Sequence, residues 1–143
     1  MPKARPIVFN LIGVTIEQFA IVSENSAEVE EYEIDSSVSI KSSPEDYRFG
    51  VFCLYKFVSE GSPLVILEVA SHFELEEESF VRLKRKGEKH ILPKALAARL
   101  LTMANDTARG VLVAKLEHTA LSDLLIPIDY DYTKALEENE ASI

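Results

Sequence analysis

The feature that most constrains this chain is a pair of alternating apolar runs, Tyr47 to Ser59 and Pro63 to Phe73, separated by Glu60-Gly61-Ser62. Two period-two runs joined by a short glycine-containing link predict a β-hairpin, because strand side chains alternate between faces and a tight turn returns the chain beside itself. Pairing Ser59 with Pro63 across a three-residue loop sets Phe57 opposite Val65, Tyr55 opposite Leu67, Cys53 opposite Val69, Val51 opposite Ser71 and Phe49 opposite Phe73. That face is almost wholly apolar. The other receives Arg48 against Glu74, Lys56 against Ile66, Leu54 against Glu68 and Phe52 against Ala70, a mixed set with one charge pair. A slip of one residue would exchange the two sets, so the pattern itself specifies the register.

Upstream, from Pro6 to Ser23, apolar residues fall at 7, 9 and 11, then at 12, 14 and 16, then at 19 and 21. The phase slips twice, and the slip near Gly13 suits a β-bulge, so one long bent strand is expected. Glu24 to Glu31 reads as a polar loop. Tyr32, Ile34, Val38 and Ile40 restore a weaker alternation that ends at Ser42-Ser43-Pro44, predicting an edge strand. Glu74 to Glu78 is an acidic cluster and Arg82 to His90 a basic one around Gly87, and both read as solvated loop or strand-end charge. Beyond them, Leu96, Leu100, Met103, Thr107, Val111 and Ala114 form one stripe at spacings of three and four, with Ala97, Leu101, Ala104, Ala108 and Leu112 beside it. This predicts a broad-faced helix that starts with Pro93 in its first position and runs through Gly110 to about Glu117. Leu121 to Ile128 is a further apolar patch, and a tail over about 131–143 is expected to fray. The expectation is an α+β fold in one domain over 1–143: a four-stranded antiparallel sheet followed by a long C-terminal helix packed on one face.

Chemistry is mainly notable by what the sequence lacks. A formal net charge of -9 argues against nucleic-acid partners, which need a Lys/Arg surplus on the binding face. No apolar run is long enough for membrane insertion. No signal-peptide pattern follows Met1 to Arg5, and Cys53 is the single cysteine, so no intrachain disulfide can form and the cytoplasm is the expected compartment. His72, His90 and His118 are far apart and no metal-ligand spacing is present. With five glycines and no phosphate-cradling loop, no cofactor is expected. Cys53 falls mid-strand on the apolar face, where desolvation suppresses the thiolate. No catalytic residue is assigned, and a non-enzymatic protein is expected.

The element order and several local runs resemble the SecB family of export chaperones. Ile66-Leu67-Glu68-Val69 stands in the hairpin where that family has a short apolar-acidic-apolar run. Ile91-Leu92-Pro93 with Ala95 and Arg99, and then Arg109-Gly110, is similar to the family's helix from proline entry to Arg-Gly exit. Val14-Thr15-Ile16-Glu17-Gln18-Phe19 is similar to its opening strand, and the likeness runs from about Leu11 to Tyr130. The sequence departs by the basic insertion Arg82 to His90, by Val111-Leu112-Val113 where the family breaks its helix with proline, and by a shorter second helix. The resemblance implies an ATP-independent holdase, a homotetramer built as a dimer of dimers, that binds unfolded or precursor polypeptides and delivers them to a SecA-type motor. It implies a motor contact at Glu17 and Glu68, with a third acidic position of the family replaced by Gly13.

One apolar sheet face plus a broad helix face leaves more apolar surface than a monomer normally exposes, which independently points to a homo-oligomer. The centre of that face is expected to take the helix and a partner subunit. The client surface is expected at its margins, along Phe49, Phe57 and Phe73, with Leu121, Leu124 and Leu125 from the patch after the helix. Two alternatives stand beside the general holdase: a chaperone dedicated to one partner such as an antitoxin, and an unrelated enzyme sharing the element order.

Overall fold

Glu60 and Gly61 both hold positive φ, 51° and 77°, and the hairpin reverses through these two residues alone, pairing Ser59 with Ser62. The computed structural model describes residues 5–23, 31–127 and 141–143. Positive φ at both central positions gives the turn whose twist matches that of the flanking strands. The expected three-residue loop is therefore one residue too long. Val58 pairs with Pro63, and a register shift then leaves Leu64 as an extra residue, so that Phe57 still meets Val65. Shortened turn and bulge cancel, and every pair from Phe57–Val65 to Arg48–Glu74 has the partner the alternation predicts.

These strands, β3 (Arg48–Ser59) and β4 (Ser62–Leu75), form the middle of a four-stranded antiparallel sheet. Its order is β1-β4-β3-β2, with β1 (Phe9–Ile21) and β2 (Glu33–Ser43) at the two edges. The register of β1 on β4 shifts between Leu11 and Gly13 and again between Ile16 and Gln18. Both slips in the apolar phase are thus bulges, carrying Ile12 and Glu17 as extra residues. They keep Phe9, Leu11, Val14, Ile16, Phe19 and Ile21 on the same face as Leu75, Phe73, Ser71, Val69, Leu67 and Val65.

After β4 come a short helix, α1 (Glu77–Val81), and a small hairpin of β5 (Lys84–Lys86) and β6 (Lys89–Ile91) turning at Gly87, φ 65°. Glu77 and Glu78 lie in the first turn of α1, where the unpaired N–H groups favour carboxylates. The expected charged loop is therefore ordered structure. Arg82 is exposed, and its guanidinium donates to the carbonyls of Arg5 at 2.9 Å and Pro6 at 3.0 Å, which ties it to the segment that leads into β1.

The long helix α2 (Lys94–Leu116) starts one residue after the predicted entry, with Pro93 as its N-cap, and continues through Gly110. Its buried stripe, Ala97, Leu100, Leu101, Ala104, Ala108, Leu112 and Leu116, packs on β3 and β4. The alanines let the helix approach the sheet closely, while each buried leucine contributes roughly 2 kcal/mol. His118 at φ 65° and the Thr119 hydroxyl, 2.7 Å from the Leu116 carbonyl, close the helix end. Most of the predicted loop Glu24 to Glu31 lies outside the described residues, as does most of the acidic tail. The last three residues of that tail, 141–143, pair with β6 rather than fray.

Candidate polypeptide-binding surface

The aromatic residues expected at the margins of the apolar face are core. Phe49, Phe57 and Phe73 are 2%, 0% and 0% exposed. Phe49 stacks on Phe73 at 5.5 Å between ring centroids, Phe9 closes on Phe73 from β1, and Tyr32 on Phe57 from the residue before β2. The edges of the face are thus filled by the chain's own rings. Leu121 and Leu124 are buried as well, whereas Leu125, between Leu124 and Ile126, is half exposed. The segment returns under α2 and is fastened there by Asn105, whose Nδ2 donates to the Pro127 carbonyl at 3.4 Å.

Among the described residues, the longest run of exposed large apolar side chains lies on β1. Leu11, Val14 and Ile16 are 42–46% exposed although they face the core side of the sheet, because α2 covers β3 and β4 instead. Ile12, carried by the first bulge, is as exposed. The strip ends at two capped rings: the Arg99 guanidinium is 5.5 Å from the centre of Phe9 and the Lys115 ammonium 5.6 Å from that of Phe19. Those contacts, each about 0.5–1 kcal/mol, hold helix side chains over the ends and leave the middle clear. Among the described residues no strand pairs with the outer edge of β1. A long edge strand with an exposed apolar row is suited to an extended peptide, with main-chain groups for pairing and side chains for contact. Alternation marked these residues as apolar, but it could not say which strands the helix would leave uncovered.

Glu17 and Glu68 belong to the opposite face, on neighbouring strands. Thr15, on that face opposite Ala70, donates to Glu17 Oε1 at 2.6 Å and lies 2.9 Å from His72 Nε2. Glu68 sits between Gln18 and Leu54 in the neighbouring strands. The Arg48–Glu74 ion pair, 2.9 Å, is on this face too, as the alternation predicts.

Cys53 is fully buried, and burial pushes its thiol up to about 11, with a Tyr55 hydrogen bond opposing and the Glu68 charge adding slightly. Such a thiol is a poor nucleophile at neutral pH. Among the described residues no group of three His, Cys, Asp or Glu is placed to hold a metal ion, and no helix is long and apolar enough to cross a membrane.

No family model matches the sequence, and no curated protein sequence does. Among solved structures the fold is similar to that of a SecB-like chaperone from Mycobacterium tuberculosis, determined in complex with a peptide from the HigA1 antitoxin. The TM-score is 0.60 at 12% identity, over 85% of this chain and 90% of that one. A protein of unknown function from Streptococcus agalactiae aligns over 86% of this chain and 99% of its own at 13% identity, with a TM-score of only 0.32. The fold of this chain is therefore SecB-like, an α+β sheet-and-helix arrangement.

Proposed function

We propose that this protein is an ATP-independent holdase that binds extended, unfolded polypeptide along β1. The observation that carries the reading is the open row Leu11, Val14 and Ile16 on an unpaired edge strand. Apolar contact at ~25 cal/mol per Å² together with edge pairing selects unfolded chains without reading their sequence. The SecB-like fold supports the same reading. Leu125, exposed in the segment after α2, is a further apolar contact for a client; Leu121 and Leu124 would join it only on opening of that segment, and Phe49, Phe57 and Phe73 only on displacement of Phe9 and Tyr32. Assembly into a homotetramer belongs to the proposal, since Val38 on β2 and Val113 on α2 leave further apolar area open on one chain. So does a contact of Glu17 and Glu68 with the basic tail of a SecA-type motor, supported by their common place on the outer face.

A narrower reading, a chaperone dedicated to one antitoxin, is favoured by the ligand of the Mycobacterium tuberculosis neighbour. The test is suppression of aggregation of a chemically unfolded client, without nucleotide, by wild type and by Val14→Asp with Ile16→Asp. Wild type should hold the client and the double variant should lose at least tenfold in capture at an unchanged melting temperature. Equal capture by both would overturn the assignment to β1.

A further inference from the structure

Residues Ala141–Ile143 return to the β5–β6 hairpin and extend it by a third strand-like segment. The His90 N–H donates to the Ile143 carbonyl and the Ile143 N–H to the His90 carbonyl, both at 2.7 Å, and the Leu92 N–H donates to the Ala141 carbonyl at 3.0 Å. Ile143 is buried by this docking. The outer edge of β6 is thus a formed seat for an extended segment running antiparallel to it, held through main-chain groups that do not discriminate between side chains.

Beside the seat is a cavity of about 370 Å³ walled by Ile7, Leu83, Ile91, Leu92, Ala97 and Ala141. That volume lies in the range of ligand pockets, roughly 300–1,000 Å³. The segment that occupies the seat offers it only the methyl group of Ala141. Lys84 and Lys94 also stand on its wall, and in the sequence Glu137, Glu138 and Glu140 precede Ala141.

We propose that the outer edge of β6 and this cavity form a second polypeptide-binding site, occupied by the chain's own Ala141–Ile143. In exchange it takes an extended segment with acidic residues ahead of a leucine-sized side chain at the Ala141 position. The tethered segment competes at an effective concentration in the millimolar range, so a displacing segment must gain from the cavity that alanine leaves unfilled. Each buried methylene is worth about fourfold in affinity, which makes leucine over alanine a gain of at least about tenfold. The site is separate from the β1 strip, and it does not depend on the holdase reading.

The experiment is fluorescence anisotropy on the full chain with two fluorescein-labelled peptides, one of residues 137–143 and one of the same residues carrying Ala141→Leu. The leucine peptide should bind at least tenfold more tightly than the native one. Ala141→Leu in the protein, which fills the cavity from within, should weaken that binding at least tenfold without lowering the melting temperature. Ile143→Asp, which unseats the segment, should strengthen it. If Ile143→Asp fails to fold, the Ala141→Leu variant still decides. Equal affinity for the two peptides, or unchanged binding to the Ala141→Leu protein, overturns the proposal. So does loss of leucine-peptide binding in Val14→Asp with Ile16→Asp, which would place the peptide on β1.

Discussion

The Tyr55 hydroxyl donates to Oδ1 of Asn105 across the packed interface between β3 and α2, with both side chains buried. The same amide donates from Nδ2 to the carbonyl of Pro127, so one side chain joins the sheet, the helix and the segment after it. Such a link is worth most when its removal leaves a buried group unpaired. Asn105→Ala should therefore cost about 2–4 kcal/mol and Tyr55→Phe about 1–2 kcal/mol. Urea denaturation checks both, and the midpoint should fall while the slope stays constant.

The alternation of β4 makes a sharper test of the two faces. Leu67 is fully buried toward α2, while its neighbour Ile66 lies opposite Lys56 on the outer face and is only partly buried. Leu67→Asp should abolish folding or assembly by burying an unpaired charge, and Tyr55→Asp should do the same. Ile66→Ser should cost no more than about 1 kcal/mol. Circular dichroism melts of the three variants separate these outcomes, and similar losses in all three would contradict the register.

Leu124 and Leu125 are adjacent but differ in environment, 3% and 50% exposed. Leu124→Ser should destabilise the protein by about 2–4 kcal/mol, through a lost core side chain and a buried hydroxyl. Leu125→Ser should leave the melting temperature within a degree or two and reduce client capture severalfold. Thermal melts paired with an aggregation assay read the two effects apart.

Burial pushes the Cys53 thiol up to about 11, from an ordinary value near 9. Between those values the unfolded chain releases the proton first, so this group's contribution to stability is complete below about pH 9 and declines as pH rises toward 11. Wild type should lose roughly 2–3 kcal/mol more than Cys53→Ala over that window, measured by denaturant titration at each pH. At pH 8 iodoacetamide should alkylate the thiol only after denaturation.

The central hairpin could be read from the sequence because its two faces differ so sharply that only one register buries Phe57, Tyr55 and Phe49 together. Its turn could not, since a two-residue reversal with a bulge at Leu64 and a three-residue loop give the same pairing beyond Phe57. The β5–β6 hairpin is too short and too charged to show an apolar period, and the return of Ile143 to His90 pairs residues far apart in sequence through backbone groups alone. For the candidate surface, the apolar character of Leu11, Val14 and Ile16 was visible, but their exposure follows from where α2 lies. The same limit explains why the alternation alone puts Phe49, Phe57 and Phe73 at a margin. The rings of Phe9, on β1, and Tyr32, just before β2, close over Phe73 and Phe57 from segments whose lateral position the pattern does not encode.

The pairing of Phe9 with Leu75 also sets an order of events during synthesis. β3 and β4 are neighbours in the chain and can close as soon as both have left the ribosome, whereas β1 is made first and must wait for β4 before it has a partner. In that interval its row of Leu11, Val14 and Ile16 is an unpaired apolar segment, the kind of chain a holdase captures. On the proposed function, a finished copy of this protein would shelter the nascent β1 of the next one, and the yield of folded protein should then rise faster than in proportion to its own accumulation.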